Sequence, residues 1–203
     1  MEQADRLLKS GDLAGARAAL VQAVRERPGD VGARMFLFQL LAVAGEWDKA
    51  ETQVRALAQT TPEAQMLATV YGQAIAAERA RALAFQGKAP FPLLLETPDW
   101  LQKLAAALEA FSKNDAVLGE DLRGQAFDAA PEVAGAWNGD RFERIADADA
   151  RFGPALEAVI GGRWGLIGWD EIAALKSEGP ADLRDIVWLP VEMTFRSGRS
   201  AAG

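Results

Sequence analysis

Acidic residues in the second half of the chain come nearest to a catalytic pattern. Asp147 and Asp149 are separated by a single alanine, and Asp140 and Glu143 precede them. Alternating carboxylates can gather a hard cation such as calcium or magnesium, so this stretch is a candidate metal-dependent site. The spacing lacks the glycine at the sixth position and the glutamate at the twelfth position of a calcium-binding loop. We therefore favour a structural role, in which these carboxylates cap a turn or pair with a neighbouring arginine.

Two residue types common in catalytic sites are missing, namely histidine for proton transfer and cysteine for nucleophilic attack. The 203 residues include no histidine and no cysteine, which excludes thiolate metal sites, cysteine nucleophiles and disulfide bonds. The net charge of −7 disfavours a nucleic-acid partner, because such binding depends on neutralising phosphates with Lys and Arg. We predict a non-enzymatic protein that binds other proteins, with no cofactor and no small-molecule substrate.

A helical hairpin occurs twice near the N-terminus, at a spacing of 34 residues. Gly11 and Pro28 of the first copy return as Gly45 and Pro62 of the second, and a small residue follows each glycine at the same distance. This period is typical of tetratricopeptide repeats, which are pairs of helices. One repeat cannot bury its apolar side alone, so repeats stack and leave a concave face for a partner.

The first helix of the second repeat begins near Val31 and is apolar almost all round, which indicates that most of it lies in the core. In the register of a tetratricopeptide repeat, the groove positions are Met35, Gln39 and Val43, with Asp5 before them. We predict that these four residues bind the partner. The expected ligand is an amphipathic helix, since helix-in-groove binding uses apolar anchors every three or four residues.

The composition changes after Pro131, where glycine, β-branched and aromatic residues replace alanine. We predict an α+β fold, with a tetratricopeptide-like, all-α domain in residues 1–130 followed by a small β-rich domain in residues 131–203. A proline-rich connection is expected over residues 87–98, between two helices. The predicted strands are Phe142–Ala146, Leu156–Ile160, Trp164–Ile167, Ile172–Lys176 and Ile186–Arg196.

Two details qualify the last of these strands. Pro190 lies inside it and cannot donate to a ladder, so we expect an edge strand or a bulge. Ser197 and Gly198 form a two-residue turn signal, which predicts one more strand.

Trp164, Trp169 and Trp188 could form an exposed recognition patch, but tryptophan in a small β domain more often belongs to the core.

Five segments, found in this order, resemble the ImpE/TagJ accessory proteins (SciE type) of bacterial type VI secretion systems. They are the Gly-Asp-Leu-x-x-Ala repeat from residue 11 and segments 36–41, 125–131, 142–149 and 182–190. The resemblance implies a virulence-associated, cytoplasmic accessory protein without catalytic residues. It also implies binding to the small subunit of the contractile sheath and a link to the AAA+ ATPase that disassembles contracted sheaths. A further strand beyond Gly203 is usual in that family.

Two other functions remain open at this point. One is a general tetratricopeptide scaffold unrelated to secretion, and the other is a metal-dependent enzyme that uses Asp147 and Asp149. The sequence has no run of about 20 apolar residues and no signal-peptide pattern at its start, so we expect a cytoplasmic protein with no membrane contact.

Overall fold

The computed structural model of the protein describes residues 1–95 and 98–203. Within these residues, seven α-helices come first and seven short β-strands follow, which confirms the predicted α+β fold. The helices are α1 (Glu2–Lys9), α2 (Leu13–Glu26), α3 (Val31–Val43), α4 (Trp47–Leu57), α5 (Pro62–Phe85), α6 (Asp99–Ser112) and α7 (Ala116–Ala129). The strands are β1 (Gly135–Trp137), β2 (Asp140–Phe142), β3 (Ala155–Ile160), β4 (Arg163–Gly168), β5 (Ile172–Lys176), β6 (Glu192–Phe195) and β7 (Ser200–Ala202).

Equivalent glycines end the first helix in both copies of the repeat. Gly11 and Gly45 have φ values of +83° and +69°, in the left-handed region that side chains rarely tolerate. Asp12 then caps α2, because its Oδ1 accepts a hydrogen bond from the backbone N–H of Gly15 at 2.8 Å. The glycine turn is the feature that both copies share, since Glu46, the counterpart of Asp12, makes no side-chain capping bond.

The chain packs as two compact units. Unit 1 comprises Met1–Ile75 and Glu178–Pro190, and unit 2 comprises Ala76–Ser177 and Val191–Gly203. The predicted boundary near residue 130 follows the change from helices to strands, whereas the packing groups the chain differently. The two predicted domains, residues 1–130 and residues 131–203, stay a prediction.

The core of unit 1 lies between the helices of the repeats. Leu20, Phe38, Val54 and Ile75 come from four different helices and are each at most 1% exposed. Burial of a large apolar side chain contributes about 1.5–3 kcal/mol, so these residues hold the stack together. Most of α3 is buried, as its apolar sequence indicated.

In unit 2, α6 and α7 form a helical hairpin. Asn114 takes a left-handed φ of 63° in the turn, and Asp115 caps α7 by accepting the backbone N–H of Leu118 at 3.1 Å. Gly119 lets the ring of Phe111 approach α7, because a Cβ at this position would lie 2.6 Å from that ring. The hairpin thus depends on one residue without a side chain.

The strands of unit 2 pair antiparallel in three small sheets, which have the orders β1-β2, β3-β4 and β5-β6-β7. The register of β3 and β4 runs from Ala155 opposite Gly168 to Ile160 opposite Arg163. The predicted strands at these positions and at β5 are confirmed. The turn at Gly198, where φ is +81°, and the strand that returns after it are also confirmed.

The strand predicted at Phe142–Ala146 is wrong in its position. Asn138 and Gly139 both have positive φ, which is the turn that a two-residue hairpin prefers. This turn pairs Gly135–Trp137 with Asp140–Phe142, so the strand ends where the prediction began. Turn geometry outweighed the hydrophobic pattern here.

The strand predicted at Ile186–Arg196 is too long. Leu183–Ile186 forms a 3-10 turn, and β6 begins only at Glu192, after Pro190. The sequence predicts an edge strand or a bulge at Pro190. The edge strand is wrong, because β6 is the central strand of its sheet, and the irregularity in the β5–β6 pairing lies between Ile172 and Ala174 on β5. Alternation survives in the shorter strand, where Met193 and Phe195 are buried.

After α5 the chain leaves the helix, and Gly87 has a φ of +71°. The connection predicted over residues 87–98 contains no helix in residues 87–95. Residues 96 and 97 lie outside the described residues.

Candidate partner-binding site

The four residues predicted to line a partner groove differ in their exposure. Asp5 lies on α1, where its carboxylate accepts a hydrogen bond from Lys9 Nζ at 2.7 Å. Val43 ends α3 and is 37% exposed, whereas Gln39 is only 8% exposed. Met35 is half-buried on the same helix. Gln39 is therefore closed to solvent, and partner binding by this set of residues stays a prediction.

A segment of the same chain covers the side of α3 that carries Met35. This segment is Glu178–Pro190, called here the 178–190 segment, and its 3-10 turn packs on α3. Arg184 Nη1 donates to the sulfur of Met35 at 3.5 Å, and Leu183 and Trp188 pack against the core of unit 1. Met35, one of the four predicted groove residues, is thus covered by a segment of the same chain.

Three side chains form the surface on which the segment lies. We call Met35, Trp47 and Tyr71 the aromatic face. The ring of Trp188 lies 5.7 Å from that of Trp47 and 5.8 Å from that of Tyr71, with interplanar angles of 36° and 40°. Aromatic pairs at such distances contribute about 0.5–1.5 kcal/mol beyond their burial. Trp188 is therefore the main apolar anchor of the segment.

Arg184 is the second anchor. Its Cζ lies 4.8 Å from the ring centroid of Tyr71, and its side chain is 17% exposed. A guanidinium over an aromatic ring gains about 0.5–2 kcal/mol, more as water is excluded. Burial raises the pKa of the Tyr71 phenol, and the positive charge of Arg184 opposes that shift. The ring that receives Arg184 is therefore neutral over the physiological range.

Asp185 gives the 178–190 segment its shape. Its carboxylate is buried and accepts the backbone N–H groups of Ala181 and Asp182, both at 2.8 Å. Asp182 in turn caps the 3-10 turn, and the backbone N–H of Trp188 donates to the carbonyl of Arg184 at 3.0 Å. These bonds lie within the segment, so the turn is held by its own residues.

Sequence reasoning missed Trp47, Tyr71 and the whole 178–190 segment as parts of this surface. One signal was present, since Asp182 and Asp185 have the spacing of a capping box, which begins a helical turn. A second signal was Trp47, which stands where the first repeat has Leu13. Neither signal shows that residues so far apart in sequence pack together.

The three tryptophans weighed as a recognition patch do not form one. Trp164 is 5% exposed and lies in a core cluster of unit 2, whereas Trp169 packs in a different cluster of that unit. Trp188 packs in unit 1. The expectation that these residues serve the core of the β-rich part is confirmed for Trp164 and Trp169. It is wrong for Trp188, which packs against the helices of the repeats.

The acidic residues considered for metal binding have structural partners. Asp147 Oδ1 accepts the backbone N–H of Asp149 at 2.8 Å, and the Asp149 carboxylate accepts Nε and Nη2 of Arg151 at 3.0 and 2.5 Å. These hydrogen bonds with Arg151 lower the pKa of Asp149. The favoured role, turn capping and pairing with an arginine, is confirmed.

The described residues include neither a metal-binding cluster nor a membrane-spanning helix. Across residues 1–95 and 98–203, no cluster of three or more His, Cys, Asp or Glu side chains is arranged to hold a metal ion. None of the helices described is both long and apolar enough to cross a bilayer.

Two protein families match the chain in different regions. A tetratricopeptide repeat family matches residues 7–74, which lie within unit 1. The ImpE protein family matches residues 139–203, a range that includes the 178–190 segment. The aromatic face and the segment that covers it are therefore matched by two different families.

Two individual proteins are similar over nearly the whole chain. The type VI secretion system accessory component TagJ of Pseudomonas aeruginosa is 38% identical over 195 residues, which are 96% of this chain and 69% of that protein. The crystal structure of a protein from Vibrio parahaemolyticus has a TM-score of 0.85 at 24% identity. That likeness covers 98% of this chain and 76% of the other, and it shows a shared fold.

Proposed function

This chain belongs to the ImpE/TagJ family of type VI secretion accessory proteins, and from that premise we propose that it is a non-enzymatic adaptor of the bacterial cytoplasm. It binds the small subunit of the contractile sheath and is linked to the AAA+ ATPase that disassembles contracted sheaths. The observation that carries this proposal is the 38% identity with TagJ over 96% of the chain.

The side-chain chemistry supports a binding role. The chain has neither histidine nor cysteine, and its acidic pair, Asp147 and Asp149, is engaged in a turn and an ion pair. Stacked helical repeats, by contrast, present a surface suited to an amphipathic helix. We therefore propose that the sheath subunit binds the predicted groove set, Met35, Gln39 and Val43 on α3 and Asp5 on α1. Val43 is the exposed contact on α3, whereas Gln39 is buried and Met35 lies under the 178–190 segment, so a partner reaches Met35 only when that segment is displaced.

A pull-down with purified sheath small subunit tests this assignment. We expect the double variant Met35→Glu and Val43→Glu to lose binding, because two carboxylates would replace apolar anchors. Val117→Glu is the matched control, since Val117 is 85% exposed on α7 of unit 2. Binding by the folded double variant that equals wild type would remove α3 from the interface. Failure of wild type to bind would remove the sheath subunit as partner.

A general scaffold is the second candidate, and the match of residues 7–74 to a tetratricopeptide repeat favours it. Affinity purification from the native cytoplasm separates the two. The secretion role requires the sheath subunit and the ATPase among the captured proteins, whereas a general scaffold captures other proteins in their place.

A further inference from the structure

We infer that the 178–190 segment is an internal ligand of the aromatic face, and that this face binds partner segments of the same chemistry, with an arginine four residues before a tryptophan. The inference rests on the proposed function only in taking unit 1 as the partner-binding part. It adds the class of ligand and a competitor built into the chain.

The first step is that the segment carries its own fold. The Asp185 carboxylate and the carbonyls of Asp182 and Arg184 receive backbone N–H groups of the turn itself. Arg184 and Trp188 contact the aromatic face through their side chains, and Leu183 packs against the core of unit 1. The hydrogen bonds that shape the turn are therefore separate from the side-chain contacts with the aromatic face.

The second step is the chemistry of the aromatic face. Tyr71 offers a ring face to a cation, Met35 offers a polarizable sulfur, and Trp47 offers a second ring to an aromatic side chain. An arginine and a tryptophan at i and i+4 satisfy all three when they lie on one side of a helical turn. A lysine in place of the arginine would lose the planar stacking that suits an aromatic ring.

The third step is competition. A partner segment meets the aromatic face only in the fraction of molecules whose own segment has left. The apparent Kd equals the intrinsic Kd divided by that fraction, so an internal ligand weakens every external one. Release of the segment therefore strengthens partner binding.

The experiment uses the full chain and a labelled peptide with the sequence of residues 178–190. Three proteins are compared by fluorescence anisotropy: wild type, the released variant Arg184→Glu with Trp188→Ala, and the control Ile186→Ala. Ile186 lies in the same segment but is 71% exposed. We expect the released variant to bind the peptide about tenfold or more tightly than the other two. A peptide carrying the same two substitutions should not bind.

Equal peptide binding by all three proteins would overturn the inference, as would a folded released variant that does not bind. A second measurement decides if that variant fails to fold. The chain has no cysteine, so Leu183→Cys introduces a single thiol into an otherwise intact protein. We expect maleimide to modify it slowly and excess peptide to accelerate the reaction, while Ile186→Cys reacts fast with or without peptide. No acceleration of Leu183→Cys would show that the segment stays in place and would refute the competition.

The peptide needs no secretion partner, so the two proposals fail separately. Peptide binding without sheath-subunit binding would refute the proposed function and leave the internal ligand standing. If the sheath subunit binds wild type and the released variant equally and the peptide binds neither, the internal ligand is refuted and the proposed function stands.

Discussion

The indole ring of Trp188 lies 5.7 Å from that of Trp47, although most of the chain separates the two residues in sequence. Trp47 begins the second helix of the second repeat, and Trp188 belongs to the 178–190 segment. This contact ties a segment matched by the ImpE family to helices matched by a tetratricopeptide family.

We expect Trp188→Ala to lower the free energy of unfolding of unit 1 by about 2 kcal/mol, below the 3–5 kcal/mol typical of a fully buried aromatic residue. The reason is that Trp188 is half-buried but contacts two rings. Urea unfolding measures the change. Leu189→Ala is the control, because Leu189 is 46% exposed. Losses of equal size would show that the ring contacts add little.

Two glycines on α7 should respond in opposite directions to alanine. A Cβ at Gly119 would lie 2.6 Å from the Phe111 ring, so Gly119→Ala should destabilise unit 2 by about 1–3 kcal/mol. Gly124 has nothing within 4 Å of such a Cβ, and Gly124→Ala should stabilise by about 0.5–1 kcal/mol through helix propensity. Thermal unfolding of both variants checks the signs. A stabilising Gly119→Ala would mean that Phe111 moves aside at no cost.

The carboxylate of Glu157 accepts hydrogen bonds from two side chains of unit 2. Its carboxylate accepts Nε and Nη2 of Arg81 at 2.7 and 3.0 Å and the indole N–H of Trp164 at 2.9 Å. The hydrogen bonds with Glu157 raise the pKa of Arg81, so the guanidinium stays charged. Glu157→Ala should cost about 1–3 kcal/mol, because it leaves both donors without this acceptor.

Glu157→Gln is the informative companion variant, since its amide oxygen can still accept one of these bonds. Chemical denaturation should place it between wild type and Glu157→Ala. Glu192→Ala, at an exposed position on β6, is the control for simple loss of a carboxylate. Equal stability of all variants would contradict the role assigned to Glu157.

The Asp149–Arg151 pair should contribute stability that depends on pH. Hydrogen bonding to Arg151 lowers the pKa of Asp149 in the folded state below the unfolded value, which is about 3.9. A lowered pKa stabilises the fold above that value, and the contribution is lost as pH falls through the folded-state pKa. Unfolding experiments between about pH 2 and pH 5 should show a shallower acid loss for Asp149→Asn.

Arg151→Gln should likewise reduce the loss of unfolding free energy at acid pH, because it removes the cation that lowers the pKa of Asp149. The double variant should then behave like either single one. Additive effects of the two substitutions would show that Arg151 also acts through another contact. One such contact is with Phe85, whose ring centroid lies 4.9 Å from the Cζ of Arg151.

Local signals predicted the helices well because the relevant forces act between neighbours in sequence. Gly11 and Gly45 fix the turns, and Asp12 fixes a helix start within three residues. The hairpin at Gly198 was predictable for the same reason. These features need no knowledge of distant residues.

The 178–190 segment was not predictable, because two signals in it compete. The alternation of Val187, Leu189 and Val191 favoured a strand, whereas the capping pair Asp182 and Asp185 favoured a helical turn. The turn formed where the aromatic face of unit 1 could bury Trp188. Only the tertiary contact decides between two local patterns of this kind.

Because unit 1 is built from two separate pieces of the chain, its parts are synthesised at different times. Its two pieces, Met1–Ile75 and Glu178–Pro190, are separated by roughly a hundred residues. At about 5–20 residues per second, the helical repeats emerge some 5–20 seconds before the piece that shields Tyr71 and Trp47 is made. During that interval the aromatic face of the nascent repeats is exposed. A protein near the exit tunnel that carries a matching arginine and tryptophan can therefore bind it before the 178–190 segment does.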